Sequence, residues 1–218
     1  LITGGTAGIG RALAREAETR GARVTVCGRS RERLDEARSV LSDTACAVSC
    51  DVSNGEQHAT LFDEARAAHG PIDVLVNNAG VQQLMNFTDP TQQRQIALEA
   101  AVNFTAPMLL TEAVLPELLE RPAAAVINVT SGLALSPKAS SPVYCATKAG
   151  VRSFSRALRR QLQGTHVRVV EVLPPLVDTA MTEGRGRGKI APEQVAAETV
   201  RGLARGRDEI YVGKTKLL

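Results

Sequence analysis

Tyr144 and Lys148, in the pentapeptide YCATK, are the residues whose types and spacing point most directly to chemistry. If the segment is helical, they stand at i and i+4 and share one face. A free phenol ionises near pH 10, so an unaided tyrosine is a poor proton shuttle at neutral pH. A nearby ammonium favours the phenolate, as does the positive end of a helix. Lowering the pKa by about 3 units takes about 4 kcal/mol, which two such effects in a dry cleft can supply. On its own, a pair at this spacing is usually a solvated helix face, so the pentapeptide alone does not establish the chemistry.

Two upstream residues change the weight. Ser131, in INVTSG, follows an apolar run that reads as a strand. A hydroxyl there can hydrogen-bond a carbonyl oxygen and stabilise charge developing on it. Asn103, in AAVNFTAP, is a polar side chain inside a long apolar helical stretch and needs a partner, such as an ordered water. Pro107 offers no N–H to the Asn103 carbonyl, which predicts a loosened helix at that point.

A second group of motifs suggests a dinucleotide. TGGTAGIG at 3–10 follows a short strand and opens a helix. Gly4, Gly8 and Gly10 permit a tight turn and close backbone approach, and the free N–H groups of the helix start can hold a pyrophosphate. The next strand ends in VCGRS, where Gly28 and Arg29 occupy the place of the acid that holds the ribose hydroxyls of NAD. A carboxylate repels a 2′-phosphate and a guanidinium binds one in a fork. NADP is therefore expected in preference to NAD, against the alternative that Arg29 is a solvated loop residue. Asp51, in CDV, either faces the adenine or caps the following turn. NNAG at 77–80 ends the fourth strand; its asparagines tie loops to backbone, and Gly80 leaves room for a cofactor.

The elements that must position these residues alternate along the chain. Strands are predicted at 1–3, 23–27, 45–50, 72–76, 124–129, 167–173 and 209–213, most of them apolar enough to be buried on both faces. Helices are predicted at about 9–20, 30–42, 55–69, 91–119, 142–163 and 192–205, with Ser30 and Ser141 at N-cap positions and Gly21 and Gly70 at C-terminal caps. This pattern predicts an α/β fold: a Rossmann-type, doubly wound parallel sheet of about seven strands with helices on both faces.

The 218 residues fit a single domain over 1–218, with residues expected to be missing at both termini. A net charge of +3, no Trp and 3% aromatics argue against a nucleic-acid partner. No apolar run reaches the length of a membrane span, so no membrane is expected. The four cysteines form no CxxC pair and read as reduced thiols, which points to the cytoplasm. The three histidines stand singly, and no metal site is expected.

Taken together, TGGTAGIG, NNAG, Asn103, Ser131, YCATK and LPPLVDT resemble the short-chain dehydrogenase/reductase family in its compact single-domain form, in order and over nearly the whole chain. The resemblance implies an enzyme with a catalytic tetrad of Asn103, Ser131, Tyr144 and Lys148. Tyr144 would be the general acid for carbonyl reduction and the base for alcohol oxidation. Lys148 would lower its pKa and hold the nicotinamide ribose, Ser131 would orient the substrate oxygen, and Asn103 would hold a water linking Lys148 to solvent. The implied cofactor set is Gly4, Thr6, Gly8, Ile9, Gly10, Arg29, Ser30, Asp51, Val52, Asn78, Ala79, Gly80, Val177 and Thr179, with Tyr144 and Lys148. In PPLVDT, Pro175 stands where the family usually has glycine, so the loop must meet the cofactor through other groups, the Val177 backbone and Thr179 hydroxyl. The double proline, CGRS and YCATK resemble the DltE-like branch. The two long helices resemble the pair that forms a four-helix interface in this family, which implies a homodimer or homotetramer.

A cofactor-sensing protein without turnover is the competing class, though all four tetrad positions are filled. A sugar-nucleotide epimerase would need a larger C-terminal domain, and a serine hydrolase would need a G-x-S-x-G elbow. The substrate, a small carbonyl compound or alcohol, is expected to meet an apolar wall from Val81, Leu133, Leu135 and Leu176. The loop TEGRGRGKI at 182–190 reads as a surface segment or a lid. Its Arg185, Arg187 and Lys189 suggest an anionic substrate group or ordinary surface charge.

Overall fold

The computed structural model describes residues 1–88 and 92–217. Seven strands form one parallel sheet: β1 (Ile2–Thr3), β2 (Thr25–Gly28), β3 (Cys46–Ser49), β4 (Val74–Asn77), β5 (Ala124–Val129), β6 (Val167–Leu173) and β7 (Glu209–Tyr211). Their order is β3-β2-β1-β4-β5-β6-β7. The chain therefore winds outward from β1 in one direction and from β4 in the other. The crevice above the β1/β4 boundary is where such sheets bind ligands.

Seven α-helices cover the sheet: α1 (Gly8–Glu18), α2 (Arg31–Val40), α3 (His58–His69), α4 (Gln93–Ala100), α5 (Ala106–Leu119), α6 (Pro142–Gln161) and α7 (Pro192–Ala204). On one face Leu13 of α1, Leu34 of α2 and Val195 of α7 pack against Val26, Val76 and Val172. On the other, Leu61 of α3, Val114 and Leu118 of α5 and Leu158 of α6 pack against Val48, Leu75 and Val126. The doubly wound architecture is the one expected. β5 and β6 keep their expected bounds because AAVINV and VRVVEVL are β-branched runs buried on both faces.

Local chemistry sets the ends. The Ser30 hydroxyl accepts the Arg33 N–H at 3.3 Å and starts α2. Gly70, at φ 78°, ends α3. Ser141 occupies the N-cap of α6 as expected, but its hydroxyl makes no cap bond; Pro142 at N1 fixes the start instead. The expected helix from 91 is seen from Gln93, residue 91 lying outside the described residues. Between α4 and α5 the chain winds as a π-turn, Ala101–Thr105, where the Ala106 N–H reaches back to the Ala101 carbonyl. This is the loosening expected from Pro107.

One expectation is corrected. The helical run Gln93–Leu119 is, among the described residues, long and apolar enough to cross a membrane by length and composition, with 27 residues and an 18-residue stretch of mean hydropathy 1.2. Its apolarity has a use within the fold, since Val102, Leu110, Val114 and Leu118 are core residues under the sheet. Each such buried side chain is worth about 1.5–3 kcal/mol.

Candidate active site

A cavity of about 1020 Å³ opens at the C-terminal ends of the strands. Its floor is the turn from β1 into α1. Gly4, at φ 61°, leads the chain past Ala79, whose Cα would lie 2.9 Å from any Cβ at that position. Gly8, at φ 52°, faces Thr179, whose Cγ2 would be 3.0 Å from a Cβ there. Asn78 ties this turn to the end of β4: its amide donates to the Thr3 carbonyl at 2.9 Å and the Gly4 carbonyl at 3.2 Å. Thr3 answers by accepting the Asn78 and Ala79 N–H groups, each at 3.0 Å. Thr6, Ile9, Ser30, Val52, Ala79 and Gly80 all line the cavity. Gly10 does not. A Cβ there would strike the Asn78 amide and the Gly4 carbonyl, so this glycine serves helix packing rather than close approach of a ligand.

Ser131, Tyr144 and Lys148 converge on the cavity wall. Tyr144 is in the first turn of α6, near its positive end, as the i, i+4 argument requires. Lys148 is 5% exposed, and its ammonium donates to the Val129 carbonyl at 2.8 Å while standing 5.8 Å from the centre of the Tyr144 ring. The Ser131 hydroxyl accepts the Leu133 N–H at 3.1 Å and keeps its own proton to donate. Asn103 lies behind this wall, fully buried. Its side chain accepts the Val81 N–H and donates to the Val81 carbonyl, both at 2.8 Å. The side-chain amide thus ties α5's approach to the chain after β4 and also reaches the Thr147 hydroxyl at 3.4 Å.

The expected lowering of Tyr144 is not seen in the protein alone. Burial pushes its pKa up to about 12, with Ser131 pulling it back only in part. Burial also pulls Lys148 down to about 8. The two findings share one cause: both groups are desolvated, and the lysine is turned to Val129 rather than paired with the phenol.

At the β2–β3 end, Arg29 and Asp51 both line the cavity and face one another at 3.7 Å. Asp51 also accepts the Ser53 N–H at 3.0 Å and hydroxyl at 2.7 Å, which is the turn-capping alternative. Burial raises its carboxyl, but the Ser53 hydrogen bonds and Arg29 outweigh this and hold it below its usual value. On the far side, the loop after β6 folds back on itself: Ile190 donates to the Leu176 carbonyl and accepts from Asp178. Val177 and Thr179 line the cavity, with Thr179 capping its own short turn, Ala180–Thr182. Pro175 lines it too, and the Pro174 carbonyl takes the Gly132 N–H at 2.9 Å, anchoring the loop beside Ser131.

The family model for short chain dehydrogenases matches residues 1–189. The chain belongs to this family. It is 41% identical to the uncharacterized oxidoreductase DltE of Bacillus subtilis (strain 168), over 96% of this chain and 86% of that protein. Among solved structures it is similar to a closed serine dehydrogenase complexed with NADP+, at a TM-score of 0.89 and 30% identity, covering 97% of this chain and 92% of that one. It is also similar to a short-chain dehydrogenase/reductase of Burkholderia phymatum in complex with NAD, at a TM-score of 0.87 and 25% identity, covering 96% and 86%.

This short-chain dehydrogenase carries site residues that sequence reasoning passed over. Arg33 lines the cavity from α2, beside Arg29; the cluster RSRER was the available signal. Asn77 donates to Asn128 at 2.8 Å, and Asn128 to the Ser155 hydroxyl at 2.8 Å, a buried polar ladder from β4 through β5 to α6. No local pattern marks it, because it exists only once the strands pair. Glu99 is fully buried, accepts the Gln83 N–H through one oxygen, and leaves the other without a hydrogen-bond partner among the described residues. Burial pushes its pKa up, while the Gln83 N–H and Arg185 pull it partly back. A raised carboxyl costs stability when it ionises, so its penalty is absent at low pH and grows as pH rises through its folded pKa. Glu99→Gln keeps an acceptor for Gln83 and removes the charge. Its melting temperature should exceed the wild type's at pH 8 and match it at pH 4; a deficit at pH 8 would contradict this account.

Proposed function

We propose that this protein is an NADP-dependent oxidoreductase that reduces a carbonyl, or oxidises an alcohol, by hydride transfer with Tyr144 as general acid/base. The observation that carries the reading is the convergence of a buried Tyr144, Ser131 and Lys148 on one cavity with the glycine turn. The residues fit the cofactor. Gly4 and Gly8 provide close backbone approach beside the start of α1, and Arg29 with Arg33 provides two guanidinium groups for a 2′-phosphate. Similar structures hold NADP+ in one case and NAD in another, which supports a nicotinamide cofactor. When bound, NADPH supplies the hydride that the carbonyl carbon receives.

The chain's own residues do the rest. Ser131 donates a hydrogen bond to the carbonyl oxygen and holds it beside the phenol. Tyr144 transfers its proton to that oxygen as negative charge develops. The ammonium of Lys148 then stabilises the phenolate left behind. A phenol held near 12 is protonated at neutral pH, the form that reduction requires, and it gives up its proton only as charge develops on the substrate oxygen and on its own, where Lys148 stabilises it. Lys148 would hold the nicotinamide ribose, and the tether of Asn103 to Val81 positions the wall that Lys148 shares with Gly80. The protein acts in the cytoplasm as a homodimer or homotetramer. An apolar groove of Phe87, Ala100, Phe104, Pro142 and Val143, beside α4 and α6, supports the assembly.

The test is a fluorescence titration with NADPH and NADH on wild type and Arg29→Ala. Arg29 stands 56% exposed between Asp51 and solvent, so its loss removes an attraction and uncovers a carboxylate. NADPH affinity should fall at least about tenfold with NADH affinity unchanged. Equal binding of both cofactors, unaltered in the variant, would refute the NADP preference. No binding of either would refute the oxidoreductase reading.

A further inference from the structure

We propose that Arg185 binds a carboxylate on the substrate, so that the protein acts on an oxo acid or hydroxy acid. The proposal rests on the oxidoreductase reading above and names its substrate class.

The charges lining the cavity divide into two groups. Arg29, Arg33 and Asp51 lie at the β2–β3 end. Beyond Tyr144 and Lys148 the lining charges are Lys138, Arg185 and Lys214, and among the described residues no carboxylate lines that half. Lys138 and Lys214 are exposed at the rim, whereas Arg185 is half-buried. Its guanidinium donates to the Gln82 side-chain oxygen at 3.1 Å, a neutral partner, and makes no ion pair among the described residues. Its field also reaches Glu99, a fully buried carboxyl that takes the Gln83 N–H through one oxygen, but the two form no hydrogen bond or ion pair among the described residues.

A guanidinium taken partly out of water normally finds an anion. The other two cations of this loop do not pose the question. Lys189 is neutralised by Asp178 at 3.2 Å, and Arg187 is exposed and outside the cavity lining. The Arg185 N–H donates to the Thr182 carbonyl at 3.0 Å, between Gly184 at φ 68° and Gly186 at φ 63°, and a Cβ on Gly186 would meet Leu176 at 2.5 Å. The surrounding wall is apolar, with Val81, Leu133, Leu176 and Met181. One planar fork in such a wall matches the two oxygens of a carboxylate. Binding exchanges the neutral Gln82 partner for a charged one and leaves the acyl chain on the apolar wall, its carbonyl free to reach Ser131 and Tyr144.

The experiment compares NADPH-dependent reduction of pyruvate, acetoacetate and levulinate with that of their methyl esters, using wild type, Arg185→Gln and Arg187→Gln. Binding of the same acids to NADPH-loaded protein is followed by calorimetry. Wild type should prefer one acid over its ester at least about tenfold in kcat/KM. Arg185→Gln should erase that preference by raising KM for the acid, with little change for the ester, and Arg187→Gln should keep it. Equal use of acids and esters by wild type would overturn the proposal while leaving the oxidoreductase reading standing. Failure of every acid to bind would overturn it as well. Acid binding that is lost in Arg185→Gln, with no turnover of any compound, would sustain the site and refute hydride transfer.

Discussion

Tyr144→Phe should bind NADPH as the wild type does and reduce carbonyl substrates about 10²–10⁴-fold more slowly. The substitution removes one oxygen from a side chain that is 9% exposed and leaves the ring in its packing, so the loss falls on proton transfer rather than on folding. Stopped-flow measurement of NADPH oxidation separates the two. The same assay across pH carries a second signature. Tyr144 stays protonated until about 12, so it does not limit reduction near neutrality. Lys148 loses its charge near 8, and the wild-type rate should decline as pH rises through that value. A variant retaining a tenth or more of wild-type activity would remove Tyr144 from the mechanism. A flat profile to pH 10 would remove the charge of Lys148 from it.

Lys148→Met should abolish turnover and stabilise the fold. Burial takes the ammonium from an ordinary 10.5 to about 8, which corresponds to a cost of about 3 kcal/mol for keeping the charge at pH 7. Methionine fills nearly the same volume without charge. It forfeits the hydrogen bond to the Val129 carbonyl, worth about 1 kcal/mol, leaving a net gain of about 2 kcal/mol. For a chain of this size that is a rise of several degrees in melting temperature. The sign with pH follows from a base whose folded pKa is depressed. Its penalty is full below about 8, fades as pH rises from there to 10.5, and is gone above. The gap in melting temperature between variant and wild type should therefore be present at pH 7 and close by pH 10.5. A variant less stable than wild type at pH 7 would show that the lysine is structural rather than a cost borne for activity.

Much of this was legible in the sequence, and the failures have common physical roots. TGGTAGIG and the Tyr144–Lys148 spacing encode local geometry, which a linear pattern can carry. β5 and β6 were legible because burial on both faces forces continuous apolar runs. Pro107 announced the π-turn because a missing N–H is a local fact. The direction of the Tyr144 shift was not legible. It depends on how far burial outruns a charge whose orientation is set by Val129, a residue on another element. Glu99 and Asn128 were missed for the same reason, since a buried polar residue is defined by what surrounds it. Gly10 was assigned to the cofactor because a glycine kept for packing and one kept for a ligand look alike in one dimension. The helix at 93–119 was hidden as a membrane-length run because Glu99, Asn103 and Glu112 interrupt its apolar residues, which are numerous enough to keep the average hydropathy high all the same.

Glu99 and Asn103 hold Gln83 and Val81 in a way that makes the helix a ruler for the irregular segment that follows β4. Four residues of helix rise about 6 Å, and two extended residues span about 6.6 Å. The two staples therefore fall into step at 99 with 83 and 103 with 81, and the small mismatch is absorbed where the π-turn begins. What the fold must conserve in length is thus the interval from Glu99 to Asn103, not the connection between Gln83 and Glu99. One residue added inside the interval would swing one staple about 100° out of phase and detach the wall behind Tyr144. Residues added to the connection would leave both staples in step, so new substrate contacts can be inserted there without disturbing the proton-transfer machinery.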